Sequence, residues 1–364
     1  MPDSLKILWF GHRDIYHPLA GGAERTILEV SRRLVAKGHV VLWVSCRYRH
    51  CNPKSTVDGI EIHRIGGRVT THLRVPEVIE RYHPDVIVDD LAHVVPWFAE
   101  RLTRTPGTTF FRHLHRRTLY GQVSAPIAGA LSWVERQYPW FYRKWPFVTE
   151  SLQGVTDLKE LGLPEARIVR IPPGVDLQRF RPSTKSSSPT MVYFGGFRDY
   201  KRPWIPVELY NRLKSEIPGL KLVMVGDGPS RLRVQGMLGT AGSTGVEMVG
   251  RVDYERLASL VSSAWLNVHS SVSEGWGYSM LEAASAGTPS VAFAVPGVSE
   301  TVLNGMNGMT VPDGDINALA VAAVTILRDQ SKWVHRSREF AERYTWEDAA
   351  SKWEAHLKRI SYME

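Results

Sequence analysis

The sequence predicts an α/β protein built from two doubly wound domains that face each other across a cleft. Short apolar segments alternate with helical patterns, which is typical of parallel strands joined by crossover helices. The alternation stops at a segment rich in proline and serine and then begins again. The chain has 364 residues, which is long enough for two separate hydrophobic cores.

The first half of the chain carries the first series of strands and helices. The helix predicted within residues 21–39 has an apolar stripe and ends at Gly38. The strands of this half are predicted at "KILWFG", "VVLWVS", "DVIVDD", "GTTFFRH" and "ARIVRIPPG". These elements predict a first domain over residues 1–175, followed by a linker over residues 172–190.

The second half repeats the alternation and ends with a helix. Its strands are predicted at "MVYFGGF", "KLVMVGDG", "VEMVG", "AWLNVHSS" and "PSVAF", which places a second domain at residues 190–340. A helix over 345–361, with a capping box from Thr345 and Asp348, is expected to pack back on the first domain. Because ligands bind beyond the carboxyl ends of parallel strands, both sets of strand-end loops are expected to line the cleft.

Composition limits the classes of partner and compartment. The net charge is +8, and residues 1–180 hold 25 basic and 18 acidic residues, so the first half favours an anionic partner. A phosphorylated substrate, an acidic membrane surface and nucleic acid all fit that charge. Two cysteines suit a reducing compartment, and neither a secretory leader nor an apolar run of roughly 20 residues is seen. We therefore expect a cytoplasmic protein, with peripheral contact at the inner membrane face left open.

The segment "SEGWGYSMLEAASAGTP", residues 273–289, carries the most chemical information. It places Glu274 in a loop and Glu282 about one turn inside a helix predicted to begin near Tyr278. Since a carboxylate accepts hydrogen bonds from vicinal hydroxyls, the pair could hold two diols. The amides of residues 277–280 suit an anion at a helix N-terminus. The alternative interpretation is a capped helix with two solvated glutamates.

Two other segments are candidate anion sites. After Gly195 and Gly196, the side chains of Arg198, Lys201 and Arg202 follow a predicted strand. Cations at the carboxyl end of a strand suit a diphosphate, although a solvated run of charges would look the same. The glycine pair 21–22, at the start of the first long helix, is the second candidate. The sequence has no P-loop motif, and "VGDGP" lacks the third glycine of a dinucleotide fingerprint.

Histidines and aromatic residues of the first half leave further alternatives open. A metal site could be formed by His93, His113, His115 and Asp89, although these residues lack a defined ligand spacing. The stretch 133–147, "WVERQYPWFYRKWPF", combines aromatic and basic side chains. It suits a membrane interface, a wall for stacking sugars, or a buried helix and turn.

Several motifs occur in the same order as in a known family. They are "GGAER", "IPPGVD", "GDGP", "VGRV", "SEGWGYSMLEAASAGTPSVA" and "GVSETVLNGMNG". The sequence resembles the family 4 glycosyltransferases, which have the GT-B fold of two Rossmann-like domains, and the similarity is most specific over residues 249–314. The resemblance implies a retaining, metal-independent transfer of a sugar from a nucleotide-diphosphate sugar to an acceptor hydroxyl, without a cofactor.

The resemblance also implies roles for individual residues. Glu274 would bind hydroxyls of the donor sugar, Glu282 would bind the ribose, and Lys201 would neutralise the departing diphosphate. His113 would lie near the reacting side of the sugar. The other donor-binding residues that the resemblance implies are Gly21, Gly22, Arg198, Gly250, Arg251, Val252, Gly275, Gly277, Tyr278, Ser279 and Met280. The family usually has an arginine where this chain has Gly196, and Arg198 or Arg202 is expected to replace it.

The expected partners follow from this resemblance. They are a nucleotide sugar as donor and a glycan, a lipid-linked molecule or a small molecule as acceptor, which the basic first domain would bind. Nucleic acid is not expected, because the basic residues are scattered along the chain. The alternatives are a catalytically silent scaffold that binds a nucleotide sugar, and a nucleotide-sugar epimerase or hydrolase.

Overall fold

The computed structural model describes residues 4–67, 69–119, 123–238 and 244–362. The chain divides into two compact units. The first unit consists of Met1–Gly174 and Trp346–Glu364, and the second is Val175–Thr345. Each unit has its own apolar core.

Each unit contains one sheet. The strands are β1 (Lys6–Phe10), β2 (Val40–Cys46), β3 (Lys54–Val57), β4 (Ile60–Ile65), β5 (Val86–Asp90), β6 (Gly107–Phe111), β7 (Phe147–Thr149), β8 (Ile168–Arg170), β9 (Thr190–Phe194), β10 (Lys221–Val225), β11 (Val246–Gly250), β12 (Leu266–His269), β13 (Ser290–Phe293) and β14 (Gly308–Val311). The first sheet has the order β3-β4-β2-β1-β5-β6-β7-β8, and the second has the order β11-β10-β9-β12-β13-β14.

Helices connect these strands. They are α1 (Gly22–Ala36), α2 (Val75–Tyr82), α3 (Ala99–Leu102), α4 (Arg116–Leu119), α5 (Ala125–Arg136), α6 (Tyr138–Phe141), α7 (Leu152–Glu160), α8 (Ile205–Leu213), α9 (Arg231–Leu238), α10 (Tyr254–Ser263), α11 (Tyr278–Ser285), α12 (Ile316–Arg328), α13 (Ser331–Ala341) and α14 (Trp346–Ser361). Among the described residues, no helix has both the length and the apolar composition needed to cross a bilayer.

The predicted α/β class is confirmed in both units. Every strand named in the sequence analysis is present, and the strands pair in parallel except at the β3–β4 hairpin. The strands β3, β4, β7 and β14 were not predicted. β3 and β4 are joined at Asp58 and Gly59, which both have positive φ, so an Asp-Gly hairpin signal was available. β7 has only three residues, which is too short for periodicity to reveal.

The core of the first unit explains why the C-terminal helix α14 belongs to it. Trp353 of α14 is buried, and its ring centroid lies 5.0 Å from that of Trp9 on β1 and 4.9 Å from that of Phe110 on β6. The first turn of α14 is held to α1, where both Nε and a terminal nitrogen of Arg33 donate to one oxygen of Glu347. Aromatic packing and this ion pair therefore fix the helix on the sheet.

The segment 172–190 is packed, although it was expected to be a linker. From Val175 onward it lies in the second unit, where Val175 and Phe180 are buried in an apolar cluster. Arg338 of α13 donates to the carbonyl oxygens of Leu177 and Phe180. Proline and serine still prevent a helix or strand here, but buried apolar side chains anchor the irregular chain.

Candidate functional site

Four adjacent strands of the second unit end at one edge of its sheet. Because β11, β10, β9 and β12 are parallel neighbours, the loops that follow them lie side by side. These loops, with the first turns of α11, contain the predicted site residues of ranges 195–202, 250–252 and 274–282, together with the "GDG" turn at 226–228. The carboxyl edge of a parallel sheet is where such folds bind ligands.

Lys201 and Glu274 form the centre of this edge. The Lys201 Nζ lies 2.5 Å from Glu274 Oε1, and both side chains are largely buried. The Ser271 hydroxyl donates to the same oxygen at 2.6 Å, and His269 Nε2 lies 2.9 Å from it. Three groups thus converge on one carboxylate oxygen.

The surroundings keep both members of the pair charged. Burial alone would raise the pKa of Glu274, but the Lys201 charge and the contact with His269 lower that pKa well below its ordinary value. Burial alone would lower the pKa of Lys201, yet the Glu274 carboxylate and Tyr200 hold that pKa above its ordinary value. The site therefore contains a fixed, buried cation beside a fixed carboxylate.

Hydrogen bonds between two loops bring this pair together. The Ser270 hydroxyl donates to the carbonyl oxygen of Lys201, and the Val272 amide donates to that of Tyr200. In return, Arg202 donates to the carbonyl oxygens of Ser270 and Ser271. The loop after β9 is thereby joined to the loop after β12, and Arg202 is used to hold the two loops.

Arg198 lies over the position of Gly196. A Cβ added at Gly196 would lie 3.8 Å from the Cγ and Nε of Arg198, which is ordinary van der Waals contact. The Arg198 side chain thus passes beside the space that a side chain at residue 196 would enter. Because Arg202 is bound to two strand-end carbonyls, Arg198 is the better candidate to replace the arginine expected at 196.

Glycines allow the loops of this edge to approach each other closely. A Cβ at Gly226 would lie 1.9 Å from the carbonyl oxygen of Gly195, and a Cβ at Gly228 would lie 2.5 Å from that of Phe197. The "GDG" turn therefore packs directly on the backbone of the loop after β9. This close contact explains the two glycines without a dinucleotide fingerprint.

Gly297 supports the loop that carries Glu274. A Cβ at Gly297 would lie 2.0 Å from the carbonyl oxygen of Glu274, and Gly297 has φ +79°. The amide of Glu274 donates to the carbonyl oxygen of Pro296 at 2.9 Å. The turn at 295–298 therefore sets the backbone position of Glu274.

At the donor site that the family resemblance implies, Gly297→Ala is expected to lower the affinity for a nucleotide sugar by about tenfold or more, because the new methyl group would displace the Glu274 backbone. Gly305→Ala is the matched control, since Gly305 has φ +78° but has no atom within 4 Å of its Cβ position. Both variants take on a similar backbone strain of about 1 kcal/mol. Titration of the nucleotide sugar by calorimetry measures the difference, and equal affinities of the two variants would contradict the role of Gly297.

The helix α11 begins at Tyr278, as predicted, with Gly277 as its N-cap at φ +91°. Glu274 precedes the helix and Glu282 lies in its second turn, half-buried. The Met280 amide donates to the carbonyl oxygen of Gly277, so this amide already has a hydrogen-bond partner within the first turn. The Met280 side chain is buried in the core, which assigns it a packing role in addition to any contact by its backbone.

The end of β11 carries three of the predicted donor-binding residues, Gly250, Arg251 and Val252. Gly250 has φ +78°, and its carbonyl oxygen accepts from the amide of Gly226, next to the "GDG" turn. Arg251 is exposed, whereas Val252 packs against the apolar cluster beneath α11. Gly275 is half-buried in the loop before α11. All of these residues lie at the same edge of the sheet.

In the first unit, Gly21 and Gly22 begin α1, as predicted. The Gly21 amide donates to the Glu24 carboxylate at 2.7 Å, so one amide of the candidate anion site already has a carboxylate partner. Glu24 is buried, and its burial raises its pKa. This internal partner was not foreseen from the glycine pair alone.

His113 and His115 follow β6 with their ring centroids 4.5 Å apart. The His115 backbone amide donates to Glu135, and its Nε2 lies 3.2 Å from the carbonyl oxygen of Ala92, so His115 joins three segments of the first unit. His113 is half-buried at the strand end. The contact with the donor sugar that the resemblance implies for His113 stays a prediction.

Asp89 holds a loop of the first unit. Its two oxygens accept from the amides of Trp97 and Ala99 and from the Tyr142 hydroxyl, and burial raises its pKa to about 7.

Across residues 4–67, 69–119, 123–238 and 244–362, no group of three or more His, Cys, Asp or Glu side chains is placed to hold a metal ion. The metal site considered from His93, His113, His115 and Asp89 is therefore not formed by the residues described.

Sequence reasoning missed His269 and Ser271. Both are buried at the end of β12, and they contact Glu274 from within the predicted strand "AWLNVHSS". A polar pair that ends an apolar strand, a few residues before Glu274, was an available signal. The sequence could not show that both side chains turn toward the same carboxylate oxygen.

Comparison with known proteins identifies the family. A family model described as "Glycosyltransferase Family 4" matches residues 20–179, and one described as "Glycosyl transferases group 1" matches residues 175–344. Among curated relatives, the chain is 29% identical over 239 residues to glycogen synthase of Mycobacterium tuberculosis, covering 62% of this chain and 56% of the relative. It is 28% identical over 250 residues to D-inositol 3-phosphate glycosyltransferase of Nocardia farcinica, covering 58% of this chain and 54% of the relative. The chain therefore spans about half the length of these two relatives.

Solved structures show the fold over nearly the whole chain. Sucrose-phosphate synthase from Thermosynechococcus elongatus has a TM-score of 0.82 at 22% identity and covers 98% of both chains. Anabaena HepE in complex with UDP and glucose has a TM-score of 0.76 at 16% identity, covering 99% of this chain and 100% of the other. These similarities assign the GT-B fold. The two family models together span residues 20–344, so the chain belongs to the family 4 glycosyltransferases.

Proposed function

We propose that the protein is a glycosyltransferase that moves a sugar from a nucleotide-diphosphate sugar to an acceptor hydroxyl. The observation that supports this most strongly is the buried Lys201–Glu274 pair at the carboxyl edge of the second sheet. A fixed cation at this edge suits a departing diphosphate, and family membership adds the class of reaction. The relative with UDP and glucose bound supports a nucleotide-sugar donor.

In this proposal different residues of the second unit bind different parts of the donor. Lys201 and Arg198 neutralise the diphosphate, and the first-turn amides of α11 add partial positive charge. The second oxygen of Glu274 is the proposed acceptor for sugar hydroxyls, since the described contacts of its carboxylate converge on Oε1. Glu282 binds the ribose, and residues 250–252 line the base.

The proposed reaction retains the configuration of the sugar and uses no metal ion. Positive charge on Lys201 and Arg198 takes the place of a cation at the leaving phosphate, which in turn accepts the proton of the attacking hydroxyl on the same face. Such preorganised electrostatic stabilisation needs no carboxylate base. His113 is the proposed catalytic residue of the first unit. The acceptor, a glycan or a lipid-linked or small molecule, is proposed to bind that unit.

Ligand-observed NMR against UDP-, GDP-, ADP- and dTDP-sugars tests the proposal. We expect one nucleotide class to bind and Glu282→Ala to weaken that binding by about tenfold or more, because a charged hydrogen bond to the ribose is lost. Release of the nucleoside diphosphate from the bound donor then measures turnover. Binding without turnover on any acceptor would instead indicate a silent scaffold.

Arg198→Ala is expected to lower turnover by about tenfold to a hundredfold, because one cation at the diphosphate is removed. Adding Gly196→Arg to that variant should restore part of the rate, since Gly196 is exposed and its Cβ position is free of close contacts. Nucleoside diphosphate release measures both variants. A full rate in Arg198→Ala would exclude Arg198 as the replacement for the family's arginine.

A further inference from the structure

The stretch 133–147 divides into buried and exposed aromatic residues. Tyr138, Tyr142 and Phe147 are fully buried and Trp145 is nearly so, which agrees with the interpretation as a buried helix and turn. Two tryptophans differ: Trp133 is 62% exposed and Trp140 is 54% exposed. An exposed indole leaves a large apolar surface in water, so these two side chains require a separate explanation.

The exposed tryptophans lie on two successive helices. Trp133 lies on α5 and Trp140 on α6, seven residues later. Gln137 separates the two helices: it caps the end of α5, and its carbonyl oxygen accepts from the amides of Trp140 and Phe141 in α6. We call the exposed side of these two helices the α5–α6 face.

The α5–α6 face is apolar where a solvent-facing helix is ordinarily charged. From Ala125 to Val134, α5 contains no charged residue. Its inward side packs through Ala128 and Ser132, while Ile127, at 53% exposed, joins Trp133 on the outside. The helix is therefore apolar on both sides although only one side is buried. At 12 residues, α5 is also too short to cross a bilayer.

The charged residues within the segment that forms the face and the turn after it are mostly basic. Residues 125–147 contain Arg136, Arg143 and Lys144 and one acid, Glu135. Glu135 is buried and accepts from the amides of residues 115 and 116, while nearby Glu100 accepts from the amides of Arg143, Lys144 and Trp145.

The basic side chains of the α5–α6 face remain outward. Arg136, Arg143 and Lys144 are exposed. Arg101 is exposed too, and its guanidinium donates to the carbonyl oxygens of Trp140 and Phe141. The guanidinium of Arg101 lies 5.0 Å from the ring centroid of Trp140, and that of Arg143 lies 5.8 Å from it. Trp140 is therefore an apolar ring flanked by cations, an arrangement that suits the boundary between lipid headgroups and acyl chains.

We propose that the α5–α6 face docks on an anionic membrane surface, with Trp133, Trp140 and Ile127 inserted among the headgroups and the arginines and Lys144 paired with lipid phosphates. A second copy of the chain fits less well, because a symmetric contact would bring these like charges together. Water-exposed indoles and exposed basic side chains both find partners at an anionic bilayer. The inference goes beyond the proposed transfer reaction and is tested without any nucleotide sugar.

Co-sedimentation of the full chain with vesicles tests the proposal. We expect binding to phosphatidylcholine vesicles that contain about one third phosphatidylglycerol, and weaker binding to phosphatidylcholine alone. Binding should fall as salt is raised from about 0.05 M to about 0.5 M. Equal binding to both kinds of vesicle, or no binding to either, would overturn the proposal.

Variants separate the α5–α6 face from apolar surface in general. Trp133→Ser with Trp140→Ser should weaken vesicle binding by about tenfold or more, since two interfacial anchors are lost. The matched control is Leu232→Ser with Val321→Ser, which removes side chains that are 80% and 68% exposed in the second unit. The control should bind vesicles like the original chain. Unchanged binding of the tryptophan variant, or a dimer in light scattering that this variant abolishes, would refute membrane docking.

Discussion

Lys201→Met is expected to lower turnover by about a hundredfold to a thousandfold while the dissociation constant of the nucleotide rises less than about tenfold. The Lys201 ammonium is buried, and its pKa is held above the ordinary value by Glu274, so the charge is present throughout the neutral range. Loss of a preorganised charge at the leaving group affects the transition state more than the bound donor, because negative charge grows there as the bond breaks.

Release of the nucleoside diphosphate and nucleotide titration together measure these two quantities. Lys214→Met is the control, because Lys214 is an exposed lysine of the same unit whose Nζ contacts only Asn211 among the described residues. The control should keep both turnover and affinity. Equal losses of turnover and affinity in Lys201→Met would show that the lysine serves binding alone. A rate like that of the original chain would exclude Lys201 from catalysis.

Glu274→Gln is expected to destabilise the second unit by about 3 kcal/mol and to reduce turnover by about a hundredfold. The substitution keeps the shape of the side chain but leaves the buried Lys201 charge without its counter-charge, which is the costly way to break a buried pair. Ser271→Ala is the mild comparison, since it removes one hydroxyl that donates to the same oxygen and should cost about 1 kcal/mol.

The double variant Lys201→Met with Glu274→Gln distinguishes stability from catalysis. It removes both charges, so most of the lost free energy of unfolding should return, while turnover should stay low. Urea unfolding measures the first quantity, and nucleoside diphosphate release the second. If turnover returned together with stability, the loss in Glu274→Gln would be a folding effect, and the proposed contact with sugar hydroxyls would be wrong.

The family motifs predicted which loops carry chemistry, and the structure distinguishes residues that the sequence left as equal candidates. Arg198 and Arg202 were equal candidates in the sequence, since both follow the same strand. The structure binds Arg202 to the carbonyl oxygens of Ser270 and Ser271 and leaves Arg198 beside Gly196. This distinction depends on hydrogen bonds between loops that are about 70 residues apart in the chain, which no local pattern reveals.

The aromatic stretch 133–147 shows the same limit in the first unit. Its composition fits burial, sugar stacking and membrane contact alike, because all three favour aromatic side chains near basic ones. Whether each ring is buried or exposed depends on the direction in which its side chain leaves α5 or α6. Tyr138 and Tyr142 turned inward, whereas Trp133 and Trp140 remained exposed.

The sequence by itself determined the α/β alternation, the start of α1 at a glycine pair and the start of α11 at Tyr278. These features follow from local rules: apolar periodicity, glycine at positions of positive φ, and the capping of helix ends. Only the tertiary structure decided that Lys201, His269 and Ser271 meet on one oxygen of Glu274. That convergence requires β9 and β12 to be neighbours in the sheet, and strand order depends on long-range packing.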